Sequence, residues 1–444
     1  MNNYSKKYQP VIGLEIHIEL KTKTKMFCGC PADHFGKKPN RQVCPICLGL
    51  PGALPAPNRT AIEWTIILSK ALNCQINNEF VFARKHYFYP DLPKGYQITQ
   101  YNNPIGNNGR VYLKNDKKTI RINRVHIEED VGQLFHHQNY SLIDYNRAGV
   151  PLAEIVTEPE FDNAEDVKIF LEELQAIVRH LKISDADMHK GGMRLEPNIS
   201  VRKLEKNETS QLPKYKVEIK NINSFAFVHR AIKYEIDRQI EILSKGLTPS
   251  QETRGFDSKK MITFFQRSKE AVKDYKYFPE PDIPPIYFSK DEIIKLTKNI
   301  PQLPDQIINR WVKKYGINTQ YAKLLTRRVD ILVLLENVLK TAKTEGTDIN
   351  KLVSLIVNKK IFVENRFSVQ KILDSFRELT VTYFVDEKEI QAVIKKVITE
   401  NKKAVSNYQG GKIQALEFLL GKCLGLLKKG VNPTIVRNLL LKEL

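Results

Sequence analysis

The sequence predicts an α+β protein: a β-rich first part carrying a metal-binding loop, then an all-α region, then a small helical tail. Three observations predict it. Val11 to Leu20 reads V-I-G-L-E-I-H-I-E-L, the alternation of a β-strand with one buried face. Strand patterns outnumber helical ones until four prolines between Pro279 and Pro285, followed by Pro301 and Pro304, mark a boundary. Beyond about Asp291 the apolar residues recur almost entirely at helical spacing, on helices with Lys-rich faces. The expected division is 1–290, 291–380 and 381–444.

The first strand sets the rest. Ile12, Leu14, Ile16, Ile18 and Leu20 point to a core, while Glu15, His17 and Glu19 point the other way. At ~3.3 Å per residue, Glu15 and His17 stand roughly 7 Å apart, a spacing that suits convergence on one ion or phosphate. A half-solvated strand would show the same pattern. Next come K-M-F-C-G-C and V-C-P-I-C-L-G, which place Cys28, Cys30, Cys44 and Cys47 within twenty residues. Two thiolate pairs in one short window form a tetrahedral sulfur site that zinc prefers. All four ligands would be consumed, so the site is structural, and His34 between the pairs is a bystander. Cys74 and Cys423 are isolated.

Asn58 caps a helix over Arg59 to Leu72. The stretch after it, F-A-R-K-H-Y-F-Y-P-D-L-P-K-G-Y, mixes Arg84, Lys85 and Lys94 with Tyr87, Phe88, Tyr89 and Tyr96. Read as a loop, it fits a nucleotide or an RNA end through charge and stacking, or aromatic packing beneath the loop. Thr119 to Leu134 indicates a strand whose phase slips once between Ile122 and Val125, ending in Glu128, Glu129 and Asp130. Adjacent carboxylates repel unless a cation or base sits among them, so a Mg²⁺ site shared with Glu15 and His17 is the sharper reading of that acidic tip. Asp144, Asn146, Arg147 and Glu154 surround a Gly149–Pro151 turn, as a salt-bridged frame or a ligand site. Asp162 is expected to cap a helix to Leu181. Strands follow at Met193 to Arg202 and Lys216 to Asn223, then a helix from about Phe225 to Lys245, closed by Gly246. Near the end, Ile413 to Leu427 reads as a helix broken by Gly430. Asn432 then caps a last helix with Pro433 in its first turn.

Composition narrows the partners. Seventy Lys and Arg against 50 Asp and Glu give a net charge of +20, which points to a polyanion, most often nucleic acid. From Asn401 to Leu444 there are eight Lys or Arg and two Glu, the balance of an RNA-binding appendage or of a dimerisation bundle. The N-terminus shows no apolar signal core and no run of 18 apolar residues exists, so a bacterial cytoplasmic or organellar matrix location is expected. There is no G-x-x-x-x-G-K-[ST], no G-x-G-x-x-G and no G-x-S-x-G. Without a nucleophile motif, metal and electrostatic catalysis fits better than covalent catalysis.

Taken together, seven stretches resemble the GatB family, the B-type subunits of aspartyl/glutamyl-tRNA(Asn/Gln) amidotransferase. They are V-I-G-L-E-I-H-I-E-L, F-C-G-C with V-C-P-I-C-L-G-L-P-G-A-L-P, R-K-H-Y-F-Y-P-D-L-P-K-G-Y-Q-I-T-Q-Y, V-H-I-E-E-D-V-G, D-Y-N-R-A-G-V-P-L-A-E-I-V-T-E-P, E-I-K-N-I-N-S-F and D-Y-K-Y-F-P-E-P-D. They come in the family's order between Val11 and Pro285. The resemblance implies a cradle-like N-terminal domain that phosphorylates the side-chain carboxylate of glutamate or aspartate misacylated on tRNA(Gln) or tRNA(Asn), using ATP and Mg²⁺. Ammonia then replaces the phosphate. It implies a carbon–nitrogen ligase acting in a heterotrimer with an A-type glutaminase subunit and a small C-type subunit, since this chain shows no Ser-Ser-Lys amidase signature. It implies Glu15, His17 and Glu129 as Mg²⁺ ligands, Lys85 as a phosphate contact, Tyr87 and Arg147 as further cofactor-binding residues, and zinc at the four cysteines. The helical and tail domains would grip the tRNA. The chain departs from many members at Leu195, Glu196 and Pro197, where Cys-Asp-Ala is frequent, at His86, where Asn is frequent, and in a short 291–381 region. The rival reading is a non-catalytic zinc-containing RNA-binding protein, which would gain nothing from clustered carboxylates.

Overall fold

A computed structural model describes residues 7–113, 118–204, 212–268, 275–380, 387–427, 431 and 433–444. Asp274, the Gly430 break and the Asn432 cap lie outside the described residues. The chain forms two compact units, 1–306 and 307–444.

The first unit begins with β1 (Tyr8–Glu19), α1 (Arg59–Ala71), β2 (Gln75–Ile76), β3 (Glu79–Phe80), β4 (Ala83–His86) and β5 (Tyr96–Thr99). Then come β6 (Gly106–Leu113), β7 (Lys118–Glu129), β8 (Gln133–His136), β9 (Ser141–Asp144), β10 (Pro151–Thr157) and α2 (Ala164–His180). It continues with β11 (Met193–Lys203), β12 (Val217–Lys220), α3 (Phe225–Ser244), β13 (Glu252–Asp257), β14 (Ile262–Ser268), β15 (Phe278–Pro279), β16 (Ile286–Tyr287) and α4 (Lys290–Thr297). Nine strands form one sheet in the order β14-β13-β12-β11-β1-β10-β7-β6-β2. All its neighbours are antiparallel except β12 and β13. β1 lies at the centre. Its five predicted aliphatics are buried and pack in one core with Ile62 and Ile66 of α1, Phe170 and Leu174 of α2, and Val228 and Ile232 of α3. Each such side chain contributes about 1.5–3 kcal/mol relative to exposure. The helices thus cover one face and leave the face of Glu15 and His17 free of them.

The phase slip seen in the sequence is a β-bulge. β7 pairs with β10 as Arg124↔Val156 and then Ile122↔Thr157, so Asn123 has no partner across that pair. Three expectations shift. The basic, aromatic stretch after α1 is not all loop: Ala83–His86 and Tyr96–Thr99 pair with each other, and β15 adds to β4. The cap of α2 is Asn163, whose side chain accepts from the Asp166 amide, while Asp162 turns to Lys118 at 3.0 Å. The boundary falls later than 290: Ile293 and Leu296 of α4 pack on the first core, so the compact unit runs to Gln306.

The second unit is helical throughout its described residues: α5 (Pro304–Tyr315, starting at the boundary), α6 (Thr319–Thr326), α7 (Leu332–Thr344), α8 (Ile349–Val357), α9 (Val369–Thr380), α10 (Glu387–Glu400), α11 (Lys402–Gln409), α12 (Gln414–Leu426) and α13 (Pro433–Glu443). It holds two separate cores. One centres on Trp311, Leu335 and Leu352, and the other on Ile394, Leu419 and Val436. Glu336 ties the first together by accepting from Arg310 (2.8 Å), Trp311 Nε1 (2.5 Å) and the Tyr315 hydroxyl (3.1 Å).

Candidate functional site

The face of the large sheet opposite α1, α2 and α3 gathers ionisable residues because pairing registers place them side by side. His126 of β7 lies opposite Glu154 of β10, Glu154 opposite His17 of β1, and His17 opposite Arg194 of β11. One rung along, Glu15 faces Glu196. The bulge at Asn123 is what brings β7 into phase: beyond it, His126 and Glu128 share this face.

His17 Nε2 stands 3.2 Å from Glu128 Oε1 and 3.5 Å from Glu154 Oε2. His126 Nε2 lies 3.0 Å from Glu154, and the Thr99 hydroxyl donates to Glu128 at 3.1 Å. Single ligand atoms of Glu15, His17 and Glu154 lie within 4.8 Å of one another, and so do those of His126, Glu128 and Glu154. Burial alone would lower the His17 pKa, but bonds to Glu128 and Glu154 overcome it and raise it well above the usual imidazole value. Glu154 is held well below the normal carboxylate value, against burial, by His126 and His17. At Glu15 the balance goes the other way: burial and the Glu154 charge raise it, outweighing the pull of His17 and Lys85. Two carboxylates on a half-buried imidazole, with the raised Glu15 beside it, form a donor set that fits a hard divalent cation.

Lys85 belongs to this group electrostatically. Burial works against its charge, and the charges of Glu128, Tyr277 and Glu154 nevertheless keep the ammonium firmly protonated. Its Nζ lies 4.9 Å from the Tyr275 ring centroid and 6.0 Å from that of Tyr87. Burial drives the Tyr87 phenol upward, against the pull of Lys85.

Two residues offered by the sequence are engaged elsewhere. Glu129 does not join Glu15 and His17. Beyond the bulge it shares the side of Val125 and Ile127, where it pairs with Lys94 at 2.5 Å and accepts from the Ile98 amide at 2.9 Å. Glu128 and Glu154 stand beside His17 in its place. Arg147 donates to the Val131 and Gly132 carbonyls at 3.0 and 2.8 Å and lies 3.5 Å from Asp130, so it braces the turn. Asp144 and Asn146 are likewise part of the frame, accepting from the Asn40 and Gln42 amides.

The four cysteines converge as their spacing requires, with all Sγ atoms within 4.8 Å. A hydrogen bond from Cys28 outweighs burial and lowers Cys47 to about 5, while the bond with Cys47 and burial push Cys28 up and burial raises Cys30 to about 11. Lys25 is fully buried beside the group. Its Nζ donates to the Gln42 carbonyl at 2.7 Å and stands 3.8 Å from Cys47 Sγ, and its charge helps lower Cys47. His34 bonds Glu19 instead, at 2.9 Å.

The family model of the GatB/GatE catalytic domain matches residues 10–294, and that of the GatB domain matches 333–444. The chain belongs to the GatB family. A relative from Thermosipho melanesiensis, the B-type subunit of aspartyl/glutamyl-tRNA(Asn/Gln) amidotransferase, is 42% identical over 457 aligned positions, covering 94% of this chain and 95% of the relative. Relatives of the same name from Thermotoga maritima and Persephonella marina are each 40% identical, covering 99% and 98% of this chain and 99% of each relative. Membership sets aside the non-catalytic RNA-binding reading. Among the described residues no helix is long and apolar enough to cross a membrane.

Within this GatB fold, sequence reasoning missed His126, the place of Glu128 rather than Glu129 beside His17, Lys25 and Arg194. A signal existed for the first two. The slip between Ile122 and Val125 already implied that Glu128, not Glu129, shares a face with the polar residues before it. The others carry no local signal, because their partners lie far away in sequence.

Proposed function

We propose that this GatB protein activates the side-chain carboxylate of Glu-tRNA(Gln) or Asp-tRNA(Asn) by ATP-dependent phosphorylation, and that ammonia from a glutaminase partner then displaces the phosphate. The observation that carries this reading is the convergence of Glu15, His17, Glu128 and Glu154, with Lys85 beside them, on the face of the sheet opposite α1, α2 and α3. A carboxylate resists attack because its charge repels a nucleophile and oxide is a hopeless leaving group. Transfer of the terminal phosphoryl group makes a carboxylate O–P bond and breaks the bond to ADP. Attack by ammonia makes the C–N bond, releases phosphate and leaves one proton to be taken from nitrogen. Such phosphoryl transfer needs positioning and charge rather than a protein nucleophile.

Glu15, His17, Glu128 and Glu154 would hold Mg²⁺, which when bound would screen the phosphate oxygens. Lys85 supplies a fixed ammonium for a phosphate, with Tyr275 and Tyr87 shielding it from water. Glu128 and Glu154 orient His17. Arg147, the Asp130 partner, keeps the neighbouring turn rigid. The cysteine cluster is a structural zinc site, and a small third protein, the C-type partner, completes the heterotrimer. The basic helical tail, about 381–444, holds tRNA through its phosphates.

Co-expression with candidate glutaminase and small partner proteins, followed by amidation assays on both misacylated tRNAs with glutamine or ammonia, tests the reading. ADP and amide should form together and require the divalent cation. Tight tRNA binding with no ADP would overturn it. Removing the tail should weaken tRNA binding and flatten its salt dependence, because log affinity falls with log salt in proportion to the phosphates neutralised. An unaltered slope would remove that role.

A further inference from the structure

Arg194, at the β11 end of the central rung, has no part in the reading above. It lies directly across from His17, so its side chain emerges on the same face, beside the carboxylates. Its Nη2 donates to Asp130 Oδ2 at 2.7 Å. Asp130 is itself locked: its Oδ1 accepts from the Val131 amide at 2.8 Å, and Arg147 approaches Oδ2. Asp130 is 3% exposed, whereas Arg194 is 31% exposed. Among the described residues, Nε and Nη1 of Arg194 have no acceptor. A guanidinium pinned through one Nη2–H beside the carboxylates keeps the other of its two N–H pairs, made of the second Nη2–H and a neighbouring N–H, to bind two oxygens of an anion at once.

We propose that Arg194 binds a substrate oxyanion, either a phosphate of the nucleotide or the side-chain carboxylate of the aminoacyl group. Lys85 and Arg194 then flank Glu128 as two fixed cations, one reaching from the small sheet of β4 and the other from β11. Lys85 is a point charge, whereas Arg194 adds direction: the Asp130 bond fixes the plane of the fork, and an anion seated on it is oriented as well as attracted. This inference rests on the phosphoryl-transfer reading.

The test uses the reconstituted complex, with ADP release and amide formation measured for wild type, Arg194→Lys and the double variant Asp130→Asn/Arg194→Gln. ATP is varied at saturating misacylated tRNA, and then the tRNA at saturating ATP. Arg194→Lys keeps a cation for Asp130 but loses the fork. It should lower kcat/KM by about 10–100-fold, with the unfolding midpoint of the complex unchanged. A raised KM for ATP identifies the anion as a phosphate, and a raised KM for tRNA identifies it as the carboxylate. The double variant should stay impaired. Parameters of Arg194→Lys within about twofold of an active wild type would overturn the inference alone. So would recovery in the double variant, since Arg194 would then only neutralise Asp130. A wild-type complex that releases no ADP overturns this inference together with the reading beneath it.

Discussion

The cysteine cluster and the carboxylate cluster both could hold a metal, yet the chain builds them in opposite ways. The four cysteines come from one loop of twenty residues, and local turns suffice to bring their Sγ atoms within 4.8 Å. The carboxylate cluster draws Glu15, Glu128 and Glu154 from three different strands, and pairing register brings them into two overlapping triads, Glu15–His17–Glu154 and His126–Glu128–Glu154, each with its ligand atoms within 4.8 Å. A local cluster is legible from spacing. A tertiary cluster depends on every residue between a strand's start and its functional position, and one unpaired residue, Asn123, decides which of two adjacent glutamates takes part.

This contrast can be broken experimentally. The largest effect should come from Glu128→Gln, which removes a carboxylate from the converging group. ATP-dependent amidation should fall about 10³-fold or more, while tRNA affinity, measured by filter binding, stays within about twofold. Equal loss of both would dissolve the distinction between site and scaffold. Cys47→Ser should empty the thiolate site. Zinc affinity, measured by competition with a chelator, should drop by more than the ~10–100-fold that outer partners contribute, and amidation by far less than in Glu128→Gln. Glu129→Ala sharpens the comparison between neighbours. It leaves Lys94 buried without its carboxylate, so the loss is in stability, about 3–5 kcal/mol by urea denaturation, with divalent-cation affinity unchanged. Loss of cation affinity instead would return Glu129 to the ligand set.

The smallest effect concerns pH. Burial and the neighbouring Glu218 push Glu196 up to about 7, against the pull of Lys220. A carboxyl raised on folding binds more protons in the native state, so its stability contribution is full below about pH 4.5 and is lost as pH rises through 7. Glu196→Gln should therefore flatten the fall in the urea midpoint between pH 5 and 8. An unchanged slope would show that the Lys220 pair already offsets the burial.

The first strand shows how much was legible. Its apolar alternation placed the core face correctly because a strand with one buried side leaves no freedom of register without moving every aliphatic into water. The Asn58 cap, the stripe of α2 and the closure of α3 at Gly246 were readable for the same reason: each is decided within a turn or two of chain. The stretch from Arg84 to Tyr96 was misread as a single loop because its short strands are stabilised by pairing with each other and with Phe278, far away in sequence. The α2 cap slipped by one residue because Asp162 and Asn163 are both good caps, and Lys118, distant in the chain, claimed the first.

By itself the sequence determined the α+β layout, the cysteine site and the membership that its ordered motifs carry, since each rests on patterns a few residues long. Only the tertiary structure decided that Glu128 and Glu154 stand with Glu15 and His17, that Glu129 turns inward to Lys94, and that Arg194 opens onto the same face. The reason is geometric: side chains alternate across a strand, so a single bulge exchanges the two faces. Where that bulge sits is set by the neighbouring strands, not by the residues it moves.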